Sequence, residues 1–325
     1  MAEPARLVEV VRSGYVESVH RGSVAVATPD GELVAWAGDP EARTFARSSM
    51  KPLQAAVSLS LASEDELTDA EVAVAAASHN AESVHLEAVA AILDRAGLSF
   101  TDLRTPPSLP LDPEEARAAA GPAPELHNCS GKHAAMLLAC VRQGWETETY
   151  PDRAHPLQRA IQDAVRLAGG EEPDLAVDGC GIPVHAVSLG AIATLYARLG
   201  RGDALGALAP FAGRVLGAMR AEPYLVAGRN RACTDLMREA PGVVAKVGAE
   251  GVFCAVIPSE GLGVAVKIED GASRAAPPAL LHTLRELGVL EEAAAARLGA
   301  WTAPPVLGGG EPVGVLRAAF ELERA

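Results

Sequence analysis

The sequence predicts an α+β fold: an antiparallel sheet with flanking helices, built from both ends of the chain around a long helical insertion. Two observations carry this. Short β-rich runs bounded by glycine-bearing turns occur before about residue 47 and again after about residue 240. Between them, apolar residues recur at helical spacing. Strands at the two ends of the order and helices in the middle give a sandwich of helices on a sheet. Residues 1–325 are read as one unit, with the sheet in about 1–47 and 240–325 and the helical part in about 48–239.

The elements follow in order. Residues 23–27 and 33–36 flank Pro29-Asp30-Gly31, which gives a β-hairpin. Ser48 or Ser49 can cap a helix running through Leu53, Ala56, Val57 and Leu61, with Pro52 tolerated in its first turn. Further helices are expected over about 68–77 and 82–96, the latter with Val84, Ala88, Ile92 and Leu93 on one face. The stretch 103–125 is proline-rich and reads as an extended loop. A helix starts at Ser130 and closes near Gly144; the next runs from Pro156 to Gly169-Gly170. Leu175-Ala176-Val177 is a short strand, and helices follow to about 239. Strands return at 242–247, 251–257 and 263–268, then helical patterns near 276–287 and 290–299.

Composition bounds the function. Hydrophobic residues make up 49% of the 325 but aromatics only 4%, so the core must be Ala, Val and Leu. A net charge of −14 without any basic cluster argues against nucleic acid and anionic membrane as partners. The N-terminus has no apolar h-region, and no apolar run reaches 18 residues, so a cytoplasmic chain is expected. Five cysteines at irregular spacing read as free thiols rather than a disulfide framework. Gly308-Gly309-Gly310 lacks the strand-to-helix setting of a phosphate loop and reads as a flexible turn, and nothing calls for an organic cofactor.

Lysine is the informative residue. The chain has 24 arginines and 4 lysines: Lys51, Lys132, Lys246 and Lys267. Arginine supplies permanent charge, but it cannot act as a neutral amine that accepts a proton. Lys51 follows Ser48 at helical spacing, so both lie on one face at a helix start. A desolvated amine there can activate a serine hydroxyl. Alone, the pair describes an N-cap serine and a surface lysine equally well. Ser78-His79-Asn80 and Lys246-Val247-Gly248 supply Ser-x-Asn and Lys-x-Gly. In this order, the three pieces reproduce the signature set of serine β-lactamases and penicillin-binding proteins. Val247 stands where those enzymes carry a hydroxyl residue, and no export signal is expected, whereas an enzyme of the cell wall would need one.

A wider set of residues resembles another group. Arg47-Ser48-Ser49-Met50-Lys51-Pro52, Ala77-Ser78-His79, Asn128-Cys129-Ser130-Gly131-Lys132-His133, Asp178-Gly179-Cys180, Lys246-Val247-Gly248-Ala249 and Val266-Lys267-Ile268-Glu269-Asp270-Gly271 are similar to the rhizobial-type L-asparaginases, the asparaginase II family. That family is related in fold to serine β-lactamases and glutaminases. The resemblance implies hydrolysis of L-asparagine to aspartate and ammonia. Ser48 would attack with Lys51 as base, while Ser78 and Lys246 serve the leaving ammonia and the deacylating water. Either Ser–Lys pair can supply the nucleophile; Ser48 is favoured. The oxyanion hole would come from N–H groups of Ser48 and of the strand just after Lys246. A glutaminase with a pocket one methylene deeper is the enzyme alternative, and a non-catalytic amino-acid-binding or zinc-regulated protein is the alternative outside enzymes.

Cys129 precedes a helix start, Lys132 lies one turn on, and Cys180 sits in a glycine-rich turn beside Asp178. On spacing alone this is a structural thiol pair, since no standard zinc motif matches. The resemblance implies Zn²⁺ held by Cys129, Lys132 and Cys180. Such a metal, or Asp178, would hold the substrate's α-amino end. Arg47 is either a surface arginine or a partner for the α-carboxylate. His79 and His133 contact substrate or fix loops, and Asn80 and Gly248 complete the expected substrate site. Lys267 reads as an ion-pair lysine and as runner-up for the catalytic one. Cys140, Cys233 and Cys254 belong to the core, and a homodimer suits a compact cytosolic enzyme.

Overall fold

The computed structural model describes residues 2–62, 67–201 and 203–325. The chain opens with strands β1 (Ala5–Arg12), β2 (Tyr15–Ala27), β3 (Leu33–Ala37) and the short β4 (Arg43–Phe45). A 3-10 turn, Arg47–Met50, leads into α1 (Lys51–Leu61). Then come α2 (Asp69–Ala75), α3 (Ser83–Arg95), α4 (Pro113–Ala118), α5 (Ser130–Gln143) and α6 (Pro156–Gly169). Strands β5 (Asp174–Val177) and β6 (Pro183–Ser188) precede α7 (Leu189–Gly200), α8 (Ala209–Ala221), α9 (Pro223–Ala227) and α10 (Ala232–Glu239). Strands β7 (Val244–Val247), β8 (Val252–Ile257) and β9 (Leu262–Ile268) follow. The chain finishes with α11 (Ala276–Glu286), α12 (Glu292–Arg297), α13 (Gly299–Thr302), β10 (Pro305–Gly308), β11 (Glu311–Ala318) and β12 (Glu323–Arg324).

The expected α+β architecture is what forms. The main sheet runs β10-β11-β1-β2-β9-β8-β7, with β3 beside β2 and β12 beside β3. Every pairing in it is antiparallel. Strand β2 is long enough to change partners along its length: its first half pairs with β1, and its second half pairs with β9 and β3. Helix α7 packs on β2, β8 and β9, and α11 packs on β8, β9 and β11. All six residues of β8 are buried, as a strand covered by helices requires. Gly263 permits the closest approach, since a Cβ there would sit 2.0 Å from Ala193 O of α7. The core is dominated by Ala, Val and Leu in one continuous cluster.

Several expectations shift. Neither serine caps α1: Met50 is its N-cap, and the Ser49 hydroxyl donates to Ala46 O (2.5 Å), which holds the 3-10 turn instead. Val84 is 43% exposed, so the buried face of α3 is His85, Ala88, Val89, Ile92 and Leu93. The proline-rich stretch carries α4 and a Ser108–Ala123 bridge. The expected helical part also contains a three-stranded sheet, β4-β6-β5. Its strand β6 was missed because all six residues are buried and show no alternation. Gly309 and Gly310, both at positive φ, turn a C-terminal hairpin between β10 and β11. Strand β1 was missed as well, and the helical pattern at 290–299 splits into α12 and α13. Among the described residues no helix is long and apolar enough to cross a membrane.

Candidate active site

The site gathers where the helical part meets the β7 edge of the sheet. From the small sheet, the Ala46 N–H donates to His185 O (3.2 Å), and the chain then enters the 3-10 turn. Arg47 takes φ +52, a left-handed conformation that costs a non-glycine residue about 1–2 kcal/mol. The turn is over-determined from behind, because the buried Tyr196 hydroxyl of α7 donates to Ser49 O at 2.6 Å. Ser48, part-buried, is left facing outward from this clamped turn, and its carbonyl accepts the Lys51 N–H. The end of β7 lies directly against it. A Cβ on Gly248 would approach Ala46 O to 2.9 Å, so glycine is what lets strand and turn touch.

Ser78 lies beyond the end of α2, in a segment stitched on both sides by backbone. Ser78 N donates to Val226 O, His79 N to Asn128 O and Asn80 N to Ala227 O, at 3.0, 3.2 and 2.9 Å. This fixes the Ser78 hydroxyl between two amines. Lys51 Nζ is 2.9 Å from Ser78 Oγ, and Lys246 Nζ is 2.7 Å from it. Lys51 also donates to Ala77 O (2.6 Å) and Asn128 O (3.5 Å), while Lys246 donates to Val247 O (2.9 Å). Both lysines are fully buried. Ser48 makes no side-chain hydrogen bond to either lysine among the described residues; both amines go to Ser78 instead.

Burial sets the charge state of these amines. Desolvation lowers the Lys51 pKa, with the neighbouring Cys129 thiolate opposing the shift. It lowers Lys246 further, well below the ordinary lysine value of 10.5, helped by the charges of Lys51 and Arg231. Both amines donate to Ser78 Oγ, whose two lone pairs can accept both, and an amine of lowered pKa can instead offer its own lone pair to the hydroxyl proton. The pair can therefore take and return a proton through Ser78.

Next to this centre lies the thiol cluster. Lys132 Nζ donates to Cys180 Sγ at 3.0 Å, and Cys180 Sγ is 3.8 Å from Asp178 Oδ2. The hydrogen bond from Cys180 holds Cys129 well below the usual thiol range, aided by Lys51 and Lys132, and the same bond with burial pushes Cys180 up. Burial alone would lower Lys132, but the two sulfurs outweigh it and its pKa rises. Two buried soft sulfurs suit zinc, and the Lys132 amine would join them only on giving up its proton, which its raised pKa opposes. They converge without a third His, Cys, Asp or Glu: among the described residues no group of three such side chains is gathered.

The remaining residues singled out in the sequence divide between the rim and the supporting structure. Arg47 Nε donates to Asp178 Oδ1 (2.8 Å), so these two are each other's partners at the mouth. His79 is buried, with Nε2 3.0 Å from Ser130 Oγ and Nδ1 accepting the Ala81 N–H. Asn80 is also enclosed: Nδ2 donates to Glu82 and to Arg229 O, and Oδ1 accepts from Arg231 at 2.6 Å. His133 pairs with the Tyr150 hydroxyl. Lys267 lies on β9 and donates to the carbonyls of Glu250 and Ile268; among the described residues it forms no ion pair and no hydrogen bond to Ser78. Tyr196 and Arg231 were missed in the sequence, and Ser130 was noted only as a helix start within the Asn128–His133 run. Nothing marked Tyr196, but Arg231 sits between a Gly-Arg-Asn turn and a helix start, where a site residue can be sought.

Two backbone N–H groups bear on the oxyanion question. Those of Val247 and Gly248 are taken, by Cys233 Sγ (3.2 Å) and Val252 O (2.7 Å). Ser48 and Ala249 make no backbone N–H hydrogen bond among the described residues.

The chain has low-identity likenesses among solved structures. Mglu in its glutamate form matches with TM-score 0.49 and 17% identity, over 89% of this chain and 65% of that one. A Bacillus glutaminase in 4.3 M NaCl matches with TM-score 0.48 and 14% identity, over 82% and 91% of the two chains. A probable glutaminase from Bacillus subtilis, complexed with 6-diazo-5-oxo-L-norleucine, matches with TM-score 0.39 and 14% identity, over 82% and 84%. No curated protein matches in sequence. The model of one family, L-asparaginase II, matches residues 8–318, taking in every residue of the Ser78 centre and the thiol cluster. The chain therefore belongs to the L-asparaginase II family and is an amidohydrolase.

Proposed function

We propose that the protein hydrolyses L-asparagine to L-aspartate and ammonia through a serine acyl-enzyme. The observation that carries this reading is the Ser78 hydroxyl held at 2.9 and 2.7 Å between two buried amines of lowered pKa. A binding protein has no use for neutral lysines, which cost stability to bury. Ser48 is the nucleophile, because it is part-buried at the mouth beside the unengaged N–H groups of Ser48 and Ala249.

In the forward step Ser48 Oγ attacks the amide carbon and its proton passes to Lys51 Nζ. The oxyanion takes N–H bonds from Ser48 and Ala249. The proton moves from Lys51 through Ser78 Oγ to Lys246, which hands it to the departing nitrogen, and the C–N bond breaks to release NH3. A water then attacks the ester, giving its proton to the same relay, and the relay returns a proton to Ser48 Oγ as aspartate leaves. Asp178, held by Arg47, receives the substrate's α-ammonium. Zn²⁺ would be held by Cys129, Lys132 and Cys180, where its Lewis acidity suits the amino-acid end of the substrate. A homodimer in the cytoplasm remains our expectation for the assembled enzyme.

The test is ammonia release from L-asparagine and L-glutamine, measured side by side for the wild type and Ser48→Ala. The reading expects release from asparagine, lost by about three orders of magnitude or more in the variant. Preference for glutamine would move the substrate to the longer amide. Release from neither, or full activity in Ser48→Ala, would contradict it.

A further inference from the structure

Two arginines leave the loop between α9 and α10 in opposite circumstances. This loop is strained: Gly228 has φ +113 and Asn230, a non-glycine, has φ +55. Arg229 is saturated with acid. It pairs with Asp112 at 3.0 Å, with Glu114 at 3.0 Å and with Glu115 at 2.5 Å, tying the proline-rich segment to the loop. Arg231 has none. Among the described residues its hydrogen-bond partner is a neutral one, Asn80 Oδ1 at 2.6 Å, and it forms no ion pair. The nearby Glu82 is already taken by Asn80 Nδ2, the Arg229 N–H and the Tyr224 hydroxyl. Asp112 is bound by Arg229 through both oxygens.

Arg231 thus stands part-buried with most of its five donors free, on a chain whose net charge is −14. Its place is beside the relay. Asn80, two residues after Ser78, fixes the guanidinium from one side, and the charge of Arg231 is felt by Lys246. Arg47, at the opposite rim, is by contrast already matched to Asp178 at 2.8 Å. An acid-free guanidinium, oriented by an amide that has no other acceptor role, is built for a planar anion.

We propose that Arg231, positioned by Asn80, receives the α-carboxylate of the amino-acid amide substrate. This rests on the asparaginase reading, and it divides the zwitterion between two walls of the site: ammonium to Asp178, carboxylate to Arg231. It also gives the Ser-x-Asn asparagine a task as a positioning residue that does not itself touch substrate.

The experiment compares L-asparagine with 3-aminopropanamide, the same amide without its carboxylate, in the wild type, Arg231→Met and Arg231→Lys. Calorimetric binding of L-aspartate is measured on all three. In Arg231→Met the KM for asparagine should rise about 10–100-fold, the worth of a charged hydrogen bond, and kcat/KM should fall at least about tenfold more for asparagine than for 3-aminopropanamide, since any effect through Lys246 is common to both amides. Arg231→Lys should recover part of the loss, since it keeps the charge but not the fork. Equal losses on both amides in Arg231→Met, or an unchanged KM for asparagine, would overturn the assignment. Should Arg231→Met fail to fold, the KM and aspartate affinity of Arg231→Lys decide alone. Should the wild type release ammonia from neither amide, the asparaginase reading falls. L-aspartate binding then judges Arg231 separately, weaker in Arg231→Met if the inference holds and equal if it does not.

Discussion

At the scale of residues, the protein is explained by where it can tolerate an uncharged amine. Replacing Ser78 with Ala should leave Lys51 and Lys246 in place but remove the hydroxyl that joins them. Single-turnover and steady-state kinetics should then show kcat falling about 10²–10⁴-fold, the usual span for a proton-transfer group, with KM little changed. Lys246 supplies a second prediction, with the opposite sign on stability. Its folded pKa lies below its unfolded value of 10.5, so between the two the unfolded chain holds more protons and stability rises with pH. The buried amine therefore subtracts stability at neutral pH, and the penalty fades as pH climbs toward 10.5. Lys246→Met should be inactive yet unfold at a higher temperature at pH 7, by about 1–2 kcal/mol. A thermal melt repeated at higher pH should show the gain shrinking. At this scale the sequence was most legible, because a chain of 24 arginines that keeps 4 lysines marks those positions itself. It did not show that Lys51 leans on Ser78, for that contact joins the start of α1 to the segment after α2, 27 residues away in sequence.

At the scale of elements, the site depends on a strained turn held between the small sheet, α7 and the end of β7. Tyr196→Phe deletes one hydroxyl and leaves Ser49 O without its 2.6 Å donor. It should cost about 1 kcal/mol in stability and lower kcat for amide hydrolysis by about tenfold, because the Ser48 turn loses its clamp while the substrate contacts stay. Gly248→Ala should be worse for activity, since its Cβ meets Ala46 O at 2.9 Å and wedges β7 off the turn; kinetics with a parallel melt would separate the two effects. The hairpin near Asp30 and the three strands after residue 240 were legible because glycine-bearing turns bound them, even where, as in β8, every residue is buried. Strand β6 was not. It is buried throughout and runs straight into α7 at the Ser188 cap, so no period-two signal separates it from a helix. Nor was the turn at Arg47–Met50, where two serines suggested a cap; Ser49 instead spends its hydroxyl on Ala46 O.

At the scale of the whole molecule, two ends of the chain and a long insertion must converge for the site to exist: Lys246 from the late sheet, Lys51 and Ser78 from the insertion. The thiol cluster joins a third part, since Cys129 and Cys180 come from α5's start and the loop after β5. Protein purified without chelator should carry about one zinc per chain by metal analysis, and chelator treatment should weaken asparagine hydrolysis. Zinc near zero with full activity would remove the metal from the account. That these segments meet was legible only through the resemblance of the whole motif set, because no local pattern encodes a contact between residues so far apart in sequence. The scarcity of lysine also opens the most direct test of the central claim. With 4 lysines in the chain, Nζ-adjacent carbons labelled in the side chains can be resolved by NMR and assigned by single replacement. The account predicts that Lys246 titrates well below 10.5, and that the acidic limb of kcat/KM for L-asparagine follows the same midpoint. A Lys246 titrating at the ordinary lysine value, with hydrolysis still proceeding at pH 7, would contradict it.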